Sequence, residues 1–348
     1  MPRRVLFVIR GKLGDTLVAF ATVRRYADAF PSDKVTLLTR SGYAALFGGE
    51  KHIRVLGFSS RIGMLFLLLR LRFEPAFDAL LVLWGFGAPI EWIGRLVHAR
   101  RKIYLDARYP QIFTEYADLS PHRLQSEPMW HVARLFEPTL PQPDRLEVPS
   151  LAARRSSNPK AIGIAPLADE PRRIMSAQTL AVLLRMISRL HPGAPVRVFV
   201  NPADRGAREL IAAQLPSGAD FCFFPQLDDL VRGFADLAHI FCTDTGLYHL
   251  AAAMGIPATV YYGPTQPWRN MMPSQPDARG VRLSILGAAH CEEKSCQTPL
   301  CIEAAVRAVA AEPGLASIDS TPTGCPLRSH PLGRLSAVAW HENLSHKA

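Results

Sequence analysis

The sequence lacks the features of a membrane-spanning or secreted protein. Its most apolar segment, Met64–Leu69, is far shorter than the roughly 20 residues that a membrane-spanning helix needs, and arginines stand on both sides of it. The apolar run Val5–Ile9 gives way at once to Arg10 and Lys12, so no secretory signal is predicted. We therefore expect a cytoplasmic protein.

Cysteine is also scarce, with six residues in a chain of 348. Without a secretory signal, so few cysteines indicate thiols or a metal site in a reducing compartment rather than a disulfide framework. Four of them stand late in the chain: Cys291, Cys296, Cys301 and Cys325. Structural zinc sites favour close Cys pairs, which these residues do not form, so we predict buried thiols and no metal, with a metal site as the alternative.

Charge is unbalanced, with 40 Lys and Arg residues against 30 Asp and Glu residues and a formal net charge of +10. Residues 1–150 hold 21 of the basic and 14 of the acidic residues, a difference of +7. A basic N-terminal half favours phosphate-bearing ligands, nucleic acid or an anionic membrane surface, although scattered solvating charge explains it equally well.

Strand-like and helix-like segments alternate along both halves of the chain. The strand-like runs are Val5–Ile9, Val35–Thr39, Ile53–Leu56, Ala79–Trp84 and Ile103–Leu105, and then Ala161–Ala165, Val196–Val200, Phe221–Phe224, Ile240–Thr243 and Ala258–Tyr262. This alternation predicts an α/β protein with two Rossmann-like domains, each built on a parallel sheet. The proline-rich stretch 138–159 predicts the linker, so we expect domains at 1–150 and 151–312 and an irregular tail at 313–348.

The first candidate site follows the first strand, where α/β sheets bind ligands. Its candidate ligand-binding residues are Gly11, Lys12, Gly14 and Thr16, which surround Asp15. The spacing matches neither the dinucleotide-binding Gly-x-Gly-x-x-Gly pattern nor a P-loop, so a dehydrogenase is not expected. Asp15 is either a general base or a residue that stabilises the helix N-terminus, and the residues alone favour neither role.

The second candidate site lies where a later strand runs into a helix. It contains Thr243, Asp244, Thr245, Gly246, Leu247 and His249. Its side-chain oxygens and the N–H groups of a helix start suit a diphosphate. The alternative is that Asp244 only caps the helix while His249 packs in the core.

A third segment, Arg61–Phe73, combines leucine and phenylalanine with Arg70 and Arg72. Such a stretch fits a helix that lies on an anionic membrane surface. A core helix of the N-terminal domain is the more usual explanation.

Together these motifs resemble glycosyltransferase family 9, the ADP-heptose:lipopolysaccharide heptosyltransferases. The resemblance rests on Arg10 with Gly14-Asp15, on Asp244–Leu247 with His249–Ala253, and on Gly255-Ile256-Pro257 with Gly263–Pro267. It covers nearly all of residues 3–311 and implies the GT-B architecture, in which two Rossmann-like domains face each other across a cleft. It also implies that the N-terminal domain binds the acceptor and the C-terminal domain binds the nucleotide sugar.

The resemblance implies roles for individual residues. Asp15 stands where the family has its catalytic base, and Asp244–Leu247 stand where the donor's sugar and diphosphate are held. Arg172 or Arg173 takes the place of a lysine that neutralises the donor phosphates, next to Asp169–Glu170 and without the family's Trp-Pro pair. Because arginine presents a wide fork rather than a point charge, the identity of the donor stays open.

The function expected from the resemblance is inverting, metal-independent transfer of a heptose from ADP-heptose to an anionic glycolipid or lipopolysaccharide-core acceptor. The nucleotide sugar is a substrate, so no cofactor is expected. Nucleic acid is not an expected partner, whereas peripheral contact with the inner membrane face is. The alternatives are a nucleotide-sugar epimerase or hydrolase of the same architecture and a non-catalytic nucleotide-binding relative.

Overall fold

The computed structural model describes residues 2–117, 126–143, 146, 148–200, 220–224, 226–262, 283–287, 301–303 and 306–307. These residues fall into two compact units, of which the first runs to Arg154 and the second holds most of the chain beyond that residue. Each unit contains one parallel sheet, as the alternation of segments predicted. The domain limits at 1–150 and 151–312 stay predictions, and the predicted tail at 313–348 lies outside the described residues.

The first unit contains a six-stranded sheet, the first sheet, whose described strand pairs all run parallel. Its strands are β1 (Arg4–Ile9), β2 (Lys34–Arg40), β3 (Ile53–Phe58), β4 (Phe77–Trp84), β5 (Ala99–Tyr104) and β6 (Glu115–Tyr116). The five predicted strands are confirmed. β5 begins well before the predicted Ile103, because charged side chains in its first half hide the apolar pattern.

The second unit contains the second sheet, which has the same plan. Its strands are β7 (Ala161–Ala165), β8 (Val196–Val200), β9 (Asp220–Phe223), β10 (Leu237–Thr243), β11 (Ala258–Tyr262) and β12 (Leu283–Gly287). The bounds of β7, β8 and β11 agree with the prediction. β6 and β12 were not predicted.

Helices connect the strands and cover the sheets. They are α1 (Leu13–Ala29), α2 (Ser41–Ala44), α3 (Arg61–Arg72), α4 (Ala88–Leu96), α5 (Ser126–Phe136), α6 (Pro149–Ala152), α7 (Ala177–Leu190), α8 (Leu227–Phe234) and α9 (Gly246–Ala253), with 3₁₀ turns at Ala45–Phe47 and Pro171–Arg173. Ser176 is the N-cap of α7, and its hydroxyl oxygen accepts the N–H of Thr179 at 3.1 Å. Most of the length of α1 is buried.

Both sheets reverse their strand order at one place. The first sheet has the order β3-β2-β1-β4-β5-β6, and the second sheet has the order β12-β11-β10-β7-β8-β9. The order therefore switches between β1 and β4 in the first sheet and between β7 and β10 in the second. In doubly wound sheets, ligands bind outside the carboxyl ends of the strands at such a switch point.

Candidate functional site

The loops after β1 and β4 lie side by side at the first switch point. The backbone N–H of Arg10 donates to the carbonyl oxygen of Trp84 at 2.8 Å, and its guanidinium donates to that of Phe86 at 3.0 Å. Gly11 has no room for a side chain, because a Cβ there would lie 2.5 Å from the Cβ of Asp15 and 2.7 Å from the Cδ1 of Trp84. This close approach places Asp15 beside the indole ring at the carboxyl edge of the sheet.

Asp15 makes the contact that its structural interpretation predicted. Its Oδ2 accepts the backbone N–H of Lys12 at 3.1 Å at the start of α1. Thr16 is buried, with its hydroxyl donating to the carbonyl oxygen of Lys12 at 2.8 Å, and Gly14 is buried beside it. The carboxyl group of Asp15 therefore has a fixed position while the residue stays half-exposed. Its role as a general base stays a prediction.

Three arginines follow the carboxyl ends of consecutive strands in the first unit. Arg10 follows β1, Arg40 ends β2 and Arg61 begins α3 shortly after β3. Burial, together with the charges of Arg40 and Arg61, lowers the pKa of Arg10, so the three guanidiniums share one electrostatic environment. No carboxylate forms an ion pair with any of them in the part of the chain that the structure describes. We call this group the arginine cluster.

The arginine cluster was not predicted. Its members are far apart in the sequence, and a single arginine at the end of a strand is too common to indicate a binding site. The available signal was that a basic residue follows each of three successive predicted strands of one sheet, whose carboxyl ends meet at one edge.

At the second switch point, the loops after β7 and β10 meet through a buried ion pair. Nη1 of Arg173 lies 3.1 Å from Oδ2 of Asp244 and donates to the carbonyl oxygen of the same residue at 3.2 Å. The side chain of Asp244 is only 4% exposed. Two predicted donor-binding segments, separated by 71 residues, are thus brought together.

Glu170 holds both arginines of its loop. Its carboxylate lies 2.6 Å from Nη2 of Arg172 and also pairs with Arg173. Burial by itself would raise the pKa of Glu170, but the hydrogen bond from Arg172 and the charge of Arg173 outweigh burial and lower it. A phosphate that binds these arginines therefore has to compete with a carboxylate that is already in place.

The start of α9 differs from the predicted alternative. The N-cap is Thr245 and not Asp244. The hydroxyl oxygen of Thr245 accepts the N–H of Leu247 at 3.2 Å, whereas the carboxylate of Asp244 accepts from Arg173. Gly246 comes next as the first helical residue. His249 is buried, and burial lowers its pKa to about 4, so it is neutral and packed in the core as the same alternative predicted.

Several buried hydroxyl groups occur on β10 and β11, the strands next to this loop. The side-chain oxygens of Thr243, Tyr261 and Tyr262 have no hydrogen-bond partner within the described ranges. Burial, and then the charge of Asp244, raise the pKa of Tyr262. These tyrosines were not predicted as site residues, since they resemble ordinary strand residues of β11.

No group of three or more His, Cys, Asp and Glu side chains that could hold a metal ion occurs in the described part of the chain. Cys301 is buried, whereas Cys291, Cys296 and Cys325 lie outside the described residues, as does the motif Gly263–Pro267. No described helix is both long and apolar enough to cross a membrane.

Two doubly wound parallel sheets, each with a candidate ligand loop at its switch point, define the chain as an α/β protein with two Rossmann-like sheets. A family model described as glycosyltransferase family 9 (heptosyltransferase) matches residues 131–302, about half of the chain. The match confirms the assignment to glycosyltransferase family 9 that the motifs predicted.

Solved structures show the same fold. They include the family 9 glycosyl transferase from Veillonella parvula DSM 2008, with a TM-score of 0.68 and 15% identity over 81% of this chain and 85% of that one. E. coli heptosyltransferase WaaC with ADP-2-deoxy-2-fluoro heptose has a TM-score of 0.66 and 18% identity over 89% and 99%. E. coli ADP-heptose lps heptosyltransferase II has a TM-score of 0.67 and 18% identity over 90% and 100%. These structural matches give the fold class as GT-B, as predicted. No curated protein sequence matches significantly.

Proposed function

We propose that the protein is an inverting glycosyltransferase that moves a heptose from ADP-heptose to an anionic glycolipid or lipopolysaccharide-core acceptor. The observation that carries the proposal is the contact between Arg173 and Asp244 at the second switch point. This contact joins the loop that contains Arg172 and Arg173 to Asp244–Leu247, the segment that resembles the family's donor-binding motif. A solved relative holds an ADP-linked fluoro heptose, which supports the choice of donor.

The donor half of the proposal depends on fixed charges. Arg172 and Arg173 would neutralise the diphosphate, and the start of α9 would add N–H groups along the helix dipole. In this proposal the arginines perform the charge stabilisation that a divalent metal ion supplies in other transferases, so neither a metal nor a cofactor is required.

The acceptor half depends on the arginine cluster. Guanidinium groups recognise phosphates and carboxylates through paired hydrogen bonds, and like charges held close together favour an anion between them. An acceptor rich in phosphate or carboxylate groups fits this environment, of which Arg10 lies at the same switch point as Asp15. The enzyme would work in the cytoplasm and contact the inner membrane face peripherally.

The proposed chemistry is a single displacement. Asp15 takes the proton of an acceptor hydroxyl as that oxygen forms a bond to the anomeric carbon of the donor sugar. The bond from this carbon to the diphosphate oxygen breaks, and the nucleoside diphosphate leaves with the electron pair. Attack opposite the leaving group inverts the anomeric configuration.

Nucleotide preference tests the proposal. A ligand that binds only the folded state stabilises it by about 2.7 kcal/mol at a concentration 100 times its Kd. We expect ADP and ADP-heptose to raise the melting temperature, and we expect UDP and GDP to do so less. Equal or greater stabilisation by UDP- or GDP-sugars would contradict the choice of donor, and hydrolysis of the donor without any acceptor would favour the epimerase or hydrolase alternative.

A further inference from the structure

Helix α3 has apolar side chains on two opposite faces. On the inner face Met64, Leu68 and Leu71 are buried, and the helix contacts β3 and α4. On the outer face five large apolar side chains are exposed: Ile62 (70%), Leu65 (41%), Phe66 (69%), Leu69 (39%) and Phe73 (88%), the last just beyond the helix. They are five of the eight large hydrophobic side chains exposed in the described part of the chain, so the outer face is a concentrated patch.

The outer residues form one stripe. With about 100° of rotation per residue, they lie within about 100° of each other and opposite the buried face. Arg70 falls on one side of the stripe, and Arg61 and Arg72 fall on the other, each about 80–100° from its centre. All three arginines are exposed. The outer face is therefore an apolar stripe bordered on both sides by positive charge.

The segment that carries this stripe contains no negative charge. Residues 51–73 contain no Asp or Glu, and the next acidic residue, Glu74, is paired with Arg4 and Arg54 at 2.9 Å each. The same half of the chain carries the +7 excess of basic residues. A partner for this face must accept apolar side chains at its centre and offer negative charge at both margins.

We infer that the outer face of α3 docks onto the surface of an anionic phospholipid bilayer. Phe66, Phe73 and the aliphatic side chains would enter the boundary between headgroups and acyl chains, while the bordering arginines would contact lipid phosphates. A helix of 12 residues cannot cross a bilayer, but it can lie in its surface. The inference rests on the proposed function and deepens it, because Arg61 belongs both to α3 and to the arginine cluster, which is the proposed acceptor site.

Cosedimentation with vesicles tests the docking surface. The full chain should bind vesicles of equal parts phosphatidylglycerol and phosphatidylcholine, bind phosphatidylcholine vesicles more weakly, and lose binding as salt is added. The double variant Phe66→Gln/Phe73→Gln should bind anionic vesicles at least about tenfold more weakly. The double variant Arg70→Gln/Arg72→Gln should also bind more weakly and show less dependence on salt.

The matched control is Arg185→Gln/Leu190→Gln, which removes one exposed arginine and one exposed leucine from α7 in the second unit. It should bind vesicles like the parent. Equal binding by the Phe66→Gln/Phe73→Gln variant and the parent, at unchanged melting temperature, would overturn the inference. So would a parent dimer in light scattering that this variant turns into a monomer, because a second copy would then cover the stripe.

The same variants separate this inference from the proposed function. Stabilisation by ADP does not depend on α3, so it should be unchanged in the Phe66→Gln/Phe73→Gln variant. A protein that binds vesicles but no nucleotide would support the docking surface and contradict the proposed function. A protein that binds ADP but no vesicles would contradict the docking surface and support the proposed function.

Discussion

Replacing Arg173 by alanine should destabilise the second unit, because it removes the guanidinium that pairs with buried Asp244. Breaking a buried ion pair by deleting one partner costs about 3–5 kcal/mol. The side chain of Asp244 is 4% exposed and that of Arg173 is 20% exposed, so we expect a loss near the lower end, about 3 kcal/mol. Arg173→Lys keeps a positive charge but lacks the paired N–H donors of the guanidinium, and its free energy of unfolding should fall by about 1 kcal/mol.

Urea denaturation measures the loss of stability, and calorimetric titration with ADP measures the affinity for the nucleotide. The control is Arg197→Ala, which breaks a half-exposed pair with Asp236 at 3.3 Å and should cost no more than about 1 kcal/mol. Arg173→Lys should bind ADP more tightly than Arg173→Ala, because the lysine ammonium can still pair with a phosphate of ADP. If Arg173→Ala unfolds at the same urea concentration as Arg197→Ala, the reasoning about a buried pair is wrong.

Two further predictions concern the same unit. Glu170→Gln should bind ADP about two- to fivefold more tightly in a calorimetric titration, because a half-exposed carboxylate no longer competes for Arg172 and Arg173; weaker binding would contradict the competition. His249→Gln should reduce sensitivity to mild acid. Since burial lowers the pKa of His249 from 6.5 to about 4, the unfolded chain binds the proton first, and stability present above pH 6.5 is lost as the pH falls towards 4. The parent should lose about 2 kcal/mol more than His249→Gln between pH 7 and pH 5, and equal losses would show that His249 is not buried as a neutral group.

The sheets could be predicted because their central strands are buried on both faces and therefore form continuous apolar runs. The charged first half of β5 breaks that pattern, and the two residues of β6 are too few to form one. The start of α9 could not be predicted. Asp244 and Thr245 are both good N-caps by residue type, and the structure has Thr245 as the cap while Asp244 pairs with Arg173.

The candidate sites could be located from the sequence but their contacts could not. The switch-point rule places the loops after β1 and β7 at ligand-binding edges. It does not reveal that Glu170 holds both arginines, or that Arg40 and Arg61 lie close enough to affect Arg10, because these contacts depend on tertiary packing. The apolar pattern of α3 likewise predicts a helix without showing which of its two apolar faces is covered.

Single-turnover transfer by Asp15→Asn tests the central claim most directly. Asparagine can still accept the N–H of Lys12, so the melting temperature and the affinity for ADP should hardly change. Transfer of heptose from ADP-heptose to a lipopolysaccharide-core acceptor should fall by about 10²–10⁴-fold, which is the usual contribution of a positioned base. A variant that melts at a lower temperature yet transfers the sugar at nearly the parental rate would show that Asp15 only stabilises α1 and does not catalyse the reaction.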